Sequence, residues 1–178
     1  PLDGTLPFIE QIPGYAVSIA LVSKEGVPLI GVVYDPVEDN MYHAVSGFGA
    51  YKNKESWKPN FSFSDSEEPL SVVVDRSYIK EPLYKKWMFD IKEEAIQQSS
   101  KDPLFANHGG AVMNAIWTLE NPPAFYLKFP KDEAGGGCLW DFAATACIVK
   151  EVGGYVSDIH GMPLDLNRKD STFMNHKG

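Results

Sequence analysis

Two acidic residues at opposite ends of the chain lie in local sequences that suit a bound cation. Asp3 belongs to Pro1-Leu2-Asp3-Gly4-Thr5, and Asp141 belongs to Trp140-Asp141-Phe142-Ala143-Ala144. Gly4 tolerates the positive φ that a tight reversal requires. Two carboxylates brought together in space at such backbone features are what a hard divalent cation needs.

Each carboxylate is followed by a predicted helix. A helix that begins after Gly4 would direct free main-chain N–H groups outward at the positive end of its dipole, which suits a phosphate. The apolar run 142–149 predicts a second helix, with Asp141 at its start and Gly153-Gly154 at its end. A turn residue at Asp3 and an N-cap at Asp141 are the plain structural interpretations, and these two signals alone leave them open.

Hydrophobic patterns predict the elements that position these residues. In the first third, residues 15–22 and 27–34 are nearly continuously apolar and predict a buried strand and its antiparallel partner. Two shorter strands at 40–45 and 48–51 extend this into a meander. The polar segment 52–69 predicts a loop between two units, residues 1–68 and 69–178.

Strands and helices alternate in the remainder of the chain. An apolar stripe of Leu83, Tyr84, Trp87, Met88 and Ile91 follows Pro82 and predicts an amphipathic helix. The pattern as a whole indicates α/β layers around mixed sheets. The other predicted elements are strands at 70–74, 104–106, 124–128, 155–158 and 173–175, and a helix at 111–119.

Composition limits the classes of partner. The 178 residues are 44% hydrophobic, enough for the core of one ordinary domain, and their formal net charge is −8. This acidity argues against a nucleic-acid polymer as partner, whereas a small phosphorylated metabolite is compatible because bound cations reverse the local sign of an acidic pocket. No apolar run reaches the length of a membrane span.

The two cysteines and four histidines show no metal-binding or disulfide pattern. Cys138 and Cys147 are interpreted as small buried thiols in a reducing compartment, which predicts a cytoplasmic protein.

The motifs taken together resemble the inositol monophosphatase superfamily of metal-dependent phosphatases. Their order is that of the family, and they lie at both ends of the chain. The resemblance implies the layered α/β sandwich shared by sugar and inositol phosphatases. It rests on Pro1-Leu2-Asp3-Gly4-Thr5 with Phe8, the strand pair around residues 16–20 and Gly31-Val32-Val33-Tyr34, Met41-Tyr42, Gly47-Phe48-Gly49-Ala50, Trp140-Asp141-Phe142-Ala143-Ala144 and Glu151-Val152-Gly153-Gly154.

The family motif normally reads Asp-Pro-Leu/Ile-Asp-Gly-Thr, and its leading Asp would fall immediately before Pro1. In the family that Asp is a metal ligand, and an upstream acidic segment supplies a Glu ligand and a second Glu that helps to activate water. The resemblance therefore implies an N-terminally truncated fragment of an enzyme that binds two or three Mg²⁺ ions when complete.

The resemblance also implies roles for residues of the first motif and for Asp141. Asp3 and Asp141 would be side-chain ligands of Mg²⁺, and Leu2 would contribute its carbonyl oxygen. Thr5, with Asp3 the predicted catalytic residue, would orient the attacking water or bind phosphate through its hydroxyl. Gly4 and Thr5 would donate main-chain N–H groups to the phosphate.

Three further residues are candidates for substrate contact. Gly109 and Gly110 stand at a predicted strand-to-helix junction that resembles the family's segment contacting the sugar or cyclitol ring. A tight turn that needs small residues explains this pair equally well. Glu133 lies near an acidic substrate-contacting residue of some relatives, one position out of register with an ungapped alignment.

The implied activity is that of a Mg²⁺-dependent phosphomonoesterase acting on a small metabolite such as inositol monophosphate. Residues 5–9 depart from the Thr-Thr-Asn-Phe of inositol phosphatases and are somewhat closer to the 3′(2′),5′-bisphosphate nucleotidases, which stay an alternative. A noncatalytic binding domain of the same fold is the alternative from another class. Relatives imply a homodimer.

Overall fold

The predicted meander is present as a six-stranded antiparallel sheet. The computed structural model describes residues 2–61, 68–99, 101–132, 135–174 and 176–178. Neighbouring strands of this sheet follow chain order throughout. They are β1 (Leu2–Asp3), β2 (Ala16–Val22), β3 (Pro28–Asp35), β4 (Asn40–Val45), β5 (Ala50–Lys52) and β6 (Glu55–Ser56).

The strand predicted to be buried, β2, is buried on one face. In β2, Ala16 and Ser18 are buried, whereas Val17 and Ile19 are exposed. Successive side chains of a strand point to opposite faces, so only the face that contacts the helices is covered among the described residues. The prediction of a buried strand therefore holds for one face of β2.

A second sheet contains three parallel strands. These are β7 (Ser71–Val74), β8 (Leu104–Ala106) and β9 (Ala124–Leu127), in the order β8-β7-β9. Parallel strands need long crossover connections, and here helices supply them. The helices of the described chain are α1 (Thr5–Glu10), α2 (Tyr84–Ser99), α3 (Ala111–Glu120) and α4 (Leu139–Glu151).

The elements form four layers, which confirms the predicted α/β sandwich. Helix α4 packs on β2, β3 and β4, and α3 lies beside α4 and contacts β7 and β9. The stripe predicted for α2 covers the other face of the second sheet, where Trp87 and Met88 pack near Val72. The antiparallel and parallel strands lie in separate sheets.

Helix α4 approaches the first sheet closely at Gly31. A Cβ atom placed on Gly31 would lie 2.3 Å from the carbonyl oxygen of Ala144. Ala144 and Ile148 of α4 share one core with Val33 of β3 and Met113 of α3. This core crosses the predicted boundary at 68/69, and the division into two units remains a prediction.

Two C-terminal strands were predicted and are not formed as such. Residues 155–158 carry no strand because Asp158 instead closes a turn, accepting N–H groups from His160 and Met162 at 2.9 Å each. Phe173 makes an isolated bridge with Cys138, and Asn175 lies outside the described residues.

None of the helices in the described part of the chain combines the length and apolarity needed to cross a bilayer.

Candidate metal and phosphate site

Asp3 is positioned by the sheet edge and by an obligatory glycine. It pairs with Ala16 at the end of β1, and Gly4 follows with φ 82° as the N-cap of α1. A Cβ atom on Gly4 would also lie 2.5 Å from the carbonyl oxygen of Gly14. Both backbone conformation and space therefore require glycine after Asp3.

The Asp3 carboxylate lies at the N-terminus of α3. Its Oδ2 accepts the N–H of Val112 at 2.8 Å, and a Cβ atom on Gly110 would come within 2.4 Å of the same oxygen. The N–H of Gly110 donates to the Gly14 carbonyl at 2.7 Å. Gly110 thus allows the close approach of Asp3, a steric reason that is independent of any substrate.

Asp141 is oriented by the first turn of α4. The helix begins at Leu139 with Cys138 as N-cap, and Asp141 is the third helical residue rather than the cap. Its Oδ2 accepts the N–H of Cys138 at 2.8 Å. Ser18 of β2 donates to the carbonyl of Trp140 at 3.0 Å and ties this turn to the first sheet.

The two carboxylates lie near enough for the charge of Asp141 to act on Asp3. Burial raises the pKa of Asp3 to about 6, and the negative charge of Asp141 adds to this rise, against the opposing Val112 N–H. Burial also raises the pKa of Asp141, opposed by the Cys138 N–H and by the charge of Lys128. A bound cation removes the cost of holding two buried anions together.

Of the other predicted site residues, Leu2 and Thr5 directly flank the Asp3–Gly4 pair. Leu2 precedes Asp3 in β1, and Thr5 is the exposed first residue of α1. Gly109 has no room for a Cβ atom, which would lie 2.4 Å from Asn114 Oδ1. Glu133 lies outside the described residues.

An ion pair that the sequence analysis missed borders the site. Lys128 Nζ lies 2.7 Å from Asp75 Oδ2, and both side chains are largely buried. Burial alone would raise the pKa of Asp75, but the Lys128 charge outweighs it and the pKa is lowered. The sequence did contain a signal for this pair. Asp75 directly follows one predicted strand and Lys128 ends another, and in the structure these two strands are adjacent and parallel, with their ends paired at Val74 and Leu127.

The thiols are both free, as predicted, but only Cys147 is buried. Cys138 is half-buried because it caps α4 beside Asp141.

The donor set fits Mg²⁺. The described residues contain no cluster of three or more His, Cys, Asp or Glu side chains suited to a metal ion. Protein sites for Mg²⁺ commonly use one or two carboxylates together with waters and substrate phosphate oxygens. Oδ2 of Asp3 and of Asp141 each accepts a main-chain N–H, and each carboxylate keeps further lone pairs that could bind a cation.

Comparison with models of protein families identifies the family of this chain. The model of the inositol monophosphatase family matches residues 1–178. The chain belongs to this family. Among curated relatives, the 3′(2′),5′-bisphosphate nucleotidase CysQ of Escherichia coli (strain K12) is 31% identical over 175 residues, covering 98% of this chain and 63% of the relative. The inositol-1-monophosphatase of Bacillus subtilis (strain 168) is 29% identical over 167 residues, covering 92% and 56%.

Solved structures of the family share the fold. Inositol monophosphatase-II from Staphylococcus aureus MSSA476 superposes with a TM-score of 0.68 at 29% identity, covering 94% of this chain and 59% of that chain. The 2′AMP-bound crystal structure of SaIMPase-II gives a TM-score of 0.69 at 29% identity, covering 94% and 58%. The chain thus spans less than two thirds of the length of the relatives it matches.

Proposed function

We propose that this chain contributes metal and phosphate ligands to a Mg²⁺-dependent phosphomonoesterase that acts on a small phosphorylated metabolite. The observation that carries this proposal is that Asp3 and Asp141, two partly buried carboxylates from opposite ends of the chain, lie close enough for the charge of Asp141 to raise the pKa of Asp3. The relatives named above are phosphatases, which supports the same reaction class.

The chemistry needs both charge neutralisation and an activated water. When bound, Mg²⁺ supplies a Lewis acid for the phosphoryl oxygens and a water of lowered pKa. Asp3 and Asp141 would hold such a cation through their side chains, and Leu2 would add its carbonyl oxygen.

The chain's other residues orient the substrate in this proposal. The Thr5 hydroxyl, exposed at the start of α1, orients the attacking water or binds the phosphate. Gly4 and Thr5 donate main-chain N–H groups to the phosphate. Gly109 and Gly110 are proposed contacts for the remainder of the substrate because they lie beside Asp3 at the start of α3; the space left by their missing Cβ atoms is filled by Asn114 and Asp3. Glu133 is an additional proposed contact.

An inositol monophosphate-like substrate is the preferred choice, and a 3′(2′),5′-bisphosphate nucleotide is the second. The second is favoured by the 31% identity with a bisphosphate nucleotidase and by residues 5–9. We further propose two or three Mg²⁺ ions in the active enzyme, a homodimer and a cytoplasmic location; the two free thiols suit a reducing compartment.

Phosphate release by the full-length natural protein tests the proposal. The substrates are inositol monophosphate, adenosine 3′,5′-bisphosphate and fructose 1,6-bisphosphate, each with and without Mg²⁺. Mg²⁺-dependent release from the first or second establishes the reaction and chooses between the two substrates. No release from any of them, by a protein shown to be folded, favours the noncatalytic binding domain.

A further inference from the structure

The Asp75–Lys128 ion pair is a buried feature that the proposed function leaves unused. Lys128 Nζ lies 2.7 Å from Asp75 Oδ2, and the side chains of Lys128 and Asp75 are only 8% and 18% exposed. Asp75 is itself fixed, because its Oδ1 accepts the N–H of Ser77 at 2.8 Å. The pair therefore joins the ends of the adjacent parallel strands β7 and β9 and holds the ammonium group at one defined point.

The ammonium group of Lys128 lies against the segment that contains Asp141. Its Nζ is 5.2 Å from the centre of the Phe142 ring, within the range of a cation–π contact. On the other side of Asp141 in the sequence, a Cβ atom placed on Gly137 would come within 3.2 Å of Nζ. One charged group thus lies beside residues that both precede and follow the carboxylate.

The glycine loop, residues 135–137, depends on contacts with other segments for its conformation. All three glycines have positive φ, at 137°, 70° and 99°. Glycine has the largest backbone freedom, so a loop of this kind does not fix its own position. Two contacts fix its end next to α4. They are the Lys128 ammonium group beside Gly137 and the Met174 N–H, which donates to the Gly137 carbonyl at 3.0 Å.

The end of this loop sets the orientation of Asp141. Cys138 follows Gly137 directly, and its N–H donates to Asp141 Oδ2 at 2.8 Å. A displacement of Gly137 moves the peptide group that carries this N–H, and the carboxylate then loses the bond that orients it. The contact between Lys128 and Gly137 therefore acts on Asp141 through one intervening residue.

Packing alone gives no reason for an ion pair at this place. Well-packed apolar side chains of similar volume often replace a buried ion pair without loss of stability. What an ion pair adds is a charge held in a fixed geometry. The charge of Lys128 also opposes the raised pKa of Asp141 and of Asp3, which agrees with an ammonium group near both carboxylates.

We propose that the Asp75–Lys128 ion pair anchors the end of the glycine loop and thereby positions Asp141 for a cation. Both members act through Gly137 and Cys138 and are positioning residues. The role rests on the proposed function, because it assumes that Asp141 binds Mg²⁺.

The sign of the change in Mg²⁺ affinity separates positioning from a simple charge effect. Lys128→Met keeps an aliphatic stem against Phe142 and removes the charge. Loss of a nearby positive charge would by itself favour a bound cation. Loss of positioning has the opposite sign, and we expect the Mg²⁺ concentration for half-maximal phosphate release by the full-length natural protein to rise about tenfold. An unchanged or lower Mg²⁺ requirement overturns the proposal.

A double variant separates positioning from stability. Lys128→Met leaves the Asp75 carboxylate buried without its partner and should lower Tm by about 5 °C or more. Adding Asp75→Asn removes the stranded charge, while the amide oxygen still accepts the Ser77 N–H, so Tm should return to within about 2 °C of wild type. The raised Mg²⁺ requirement should persist, because the anchor is still missing. A Mg²⁺ requirement that recovers together with Tm shows that the pair acts only through stability and overturns the proposal.

Lys52→Met is the matched control. It breaks the partly exposed ion pair between Lys52 and Glu120, the last residue of α3, at the opposite end of that helix from the candidate site. The same change of residue type there should leave the Mg²⁺ requirement unchanged. An increase as large as that of Lys128→Met would show a general effect of lost ion pairs and overturn the proposal.

Amide hydrogen exchange reports on the anchor without metal or substrate. The Cys138 N–H should exchange about tenfold faster in the double variant than in wild type, because its bond to Asp141 opens more often. Equal exchange rates overturn the anchoring step.

Mg²⁺-induced changes in Tm keep this test distinct from that of the proposed function. If Mg²⁺ raises the Tm of wild type but no phosphate is released, the proposed activity fails, and a smaller rise in the double variant still supports the positioning. If Mg²⁺ leaves both the Tm and the activity of wild type unchanged, the ligand role of Asp141 fails and the positioning role fails with it.

Discussion

At Asp3 and Asp141, one oxygen of each carboxylate accepts a main-chain N–H, from Val112 and Cys138 respectively. These bonds fix the orientation of both side chains before any ligand binds. They also explain why each residue has a sound local interpretation, since Asp141 accepts the N–H of the N-cap residue of its own helix and Asp3 accepts an N–H at the N-terminus of another. The structural and the ligand roles are compatible, because a carboxylate has about four lone-pair sites.

Asp141→Asn separates these two roles. The amide oxygen can still accept the Cys138 N–H, so folding should be preserved, while the lost charge should lower Mg²⁺-dependent turnover by more than about 100-fold, beyond the loss typical of groups that only orient ligands. Kinetics of the full-length natural protein, with thermal unfolding of both forms, measures this. Asp158→Asn is the matched control because the Asp158 carboxylate accepts N–H groups of its own turn and faces Lys177 at 3.8 Å, and none of these partners belongs to the proposed site. Full activity of Asp141→Asn with Mg²⁺ contradicts the ligand assignment.

The raised pKa of Asp3 gives Mg²⁺ binding a pH dependence. A cation displaces the proton, so with a pKa of about 6 the affinity for Mg²⁺ should fall about tenfold from pH 7 to pH 5. In the absence of metal, raising the pH has the opposite effect and lowers the stability of the folded protein. The folded state binds this proton more tightly than the unfolded state, whose value is near 3.8, so metal-free stability should decline as pH rises from about 4 to 6. Calorimetric Mg²⁺ titration at both pH values checks the prediction, and Asp3→Asn should remove the dependence.

At the scale of elements, the distance between α4 and the first sheet decides where Asp141 lies. Gly31 of β3 faces the carbonyl of Ala144, one turn beyond Asp141. Ser18 holds the start of the same helix through the Trp140 carbonyl. Two contacts with the sheet thus determine the position of the carboxylate relative to Asp3, which lies at the edge of that sheet.

Gly31→Ala tests this packing. Its added Cβ would lie 2.3 Å from the Ala144 oxygen, so α4 must move, and we expect a loss of about 1–3 kcal/mol or more in the free energy of unfolding. Gly153→Ala is the control, because φ 89° strains an alanine there while nothing lies within 4 Å, which should cost about 1–2 kcal/mol. Denaturant unfolding compares them. A Gly31→Ala protein as stable as wild type would show that the helix does not depend on this contact.

At the scale of the whole molecule, the face of the first sheet that points away from the helices is apolar and exposed. The strand register places Val17, Ile19 and Leu21 beside Val32 and Ile30 on this outer face. Ile19 is 59% and Leu21 is 53% exposed. Burying one such side chain stabilises a contact by about 1.5–3 kcal/mol, so a patch of this kind favours association.

We therefore expect the 178-residue chain to self-associate through the outer face. The pair Ile19→Thr and Leu21→Thr keeps or nearly keeps strand propensity while removing apolar area, and it should shift the chain toward monomer. Light scattering across a concentration series measures the change. Phe89→Thr, on α2 and equally exposed at 60%, is the control and should leave association unchanged. If the unchanged chain, the double variant and Phe89→Thr all associate equally, the contact lies on another surface.

Local patterns determined much of the fold. Apolar runs and turn residues predicted β2 to β4, the stripe after Pro82 predicted α2, and Gly153 predicted the end of α4. These features depend on neighbours within a few residues, so the sequence contains them directly. The turn at Asp3 and Gly4 was also predictable, because the positive φ of its backbone favours glycine at that position.

Tertiary structure alone decided which residues meet. Asp3 reaches the Val112 N–H, and Lys128 reaches Asp75, through contacts between segments distant in the chain. Residues 155–158 have a strand-like pattern but form no strand, because a strand also requires a partner and the local bonds of Asp158 prevail. The sequence by itself therefore determined the elements and the candidate carboxylates, whereas packing of α3 and α4 against the two sheets brought those carboxylates together.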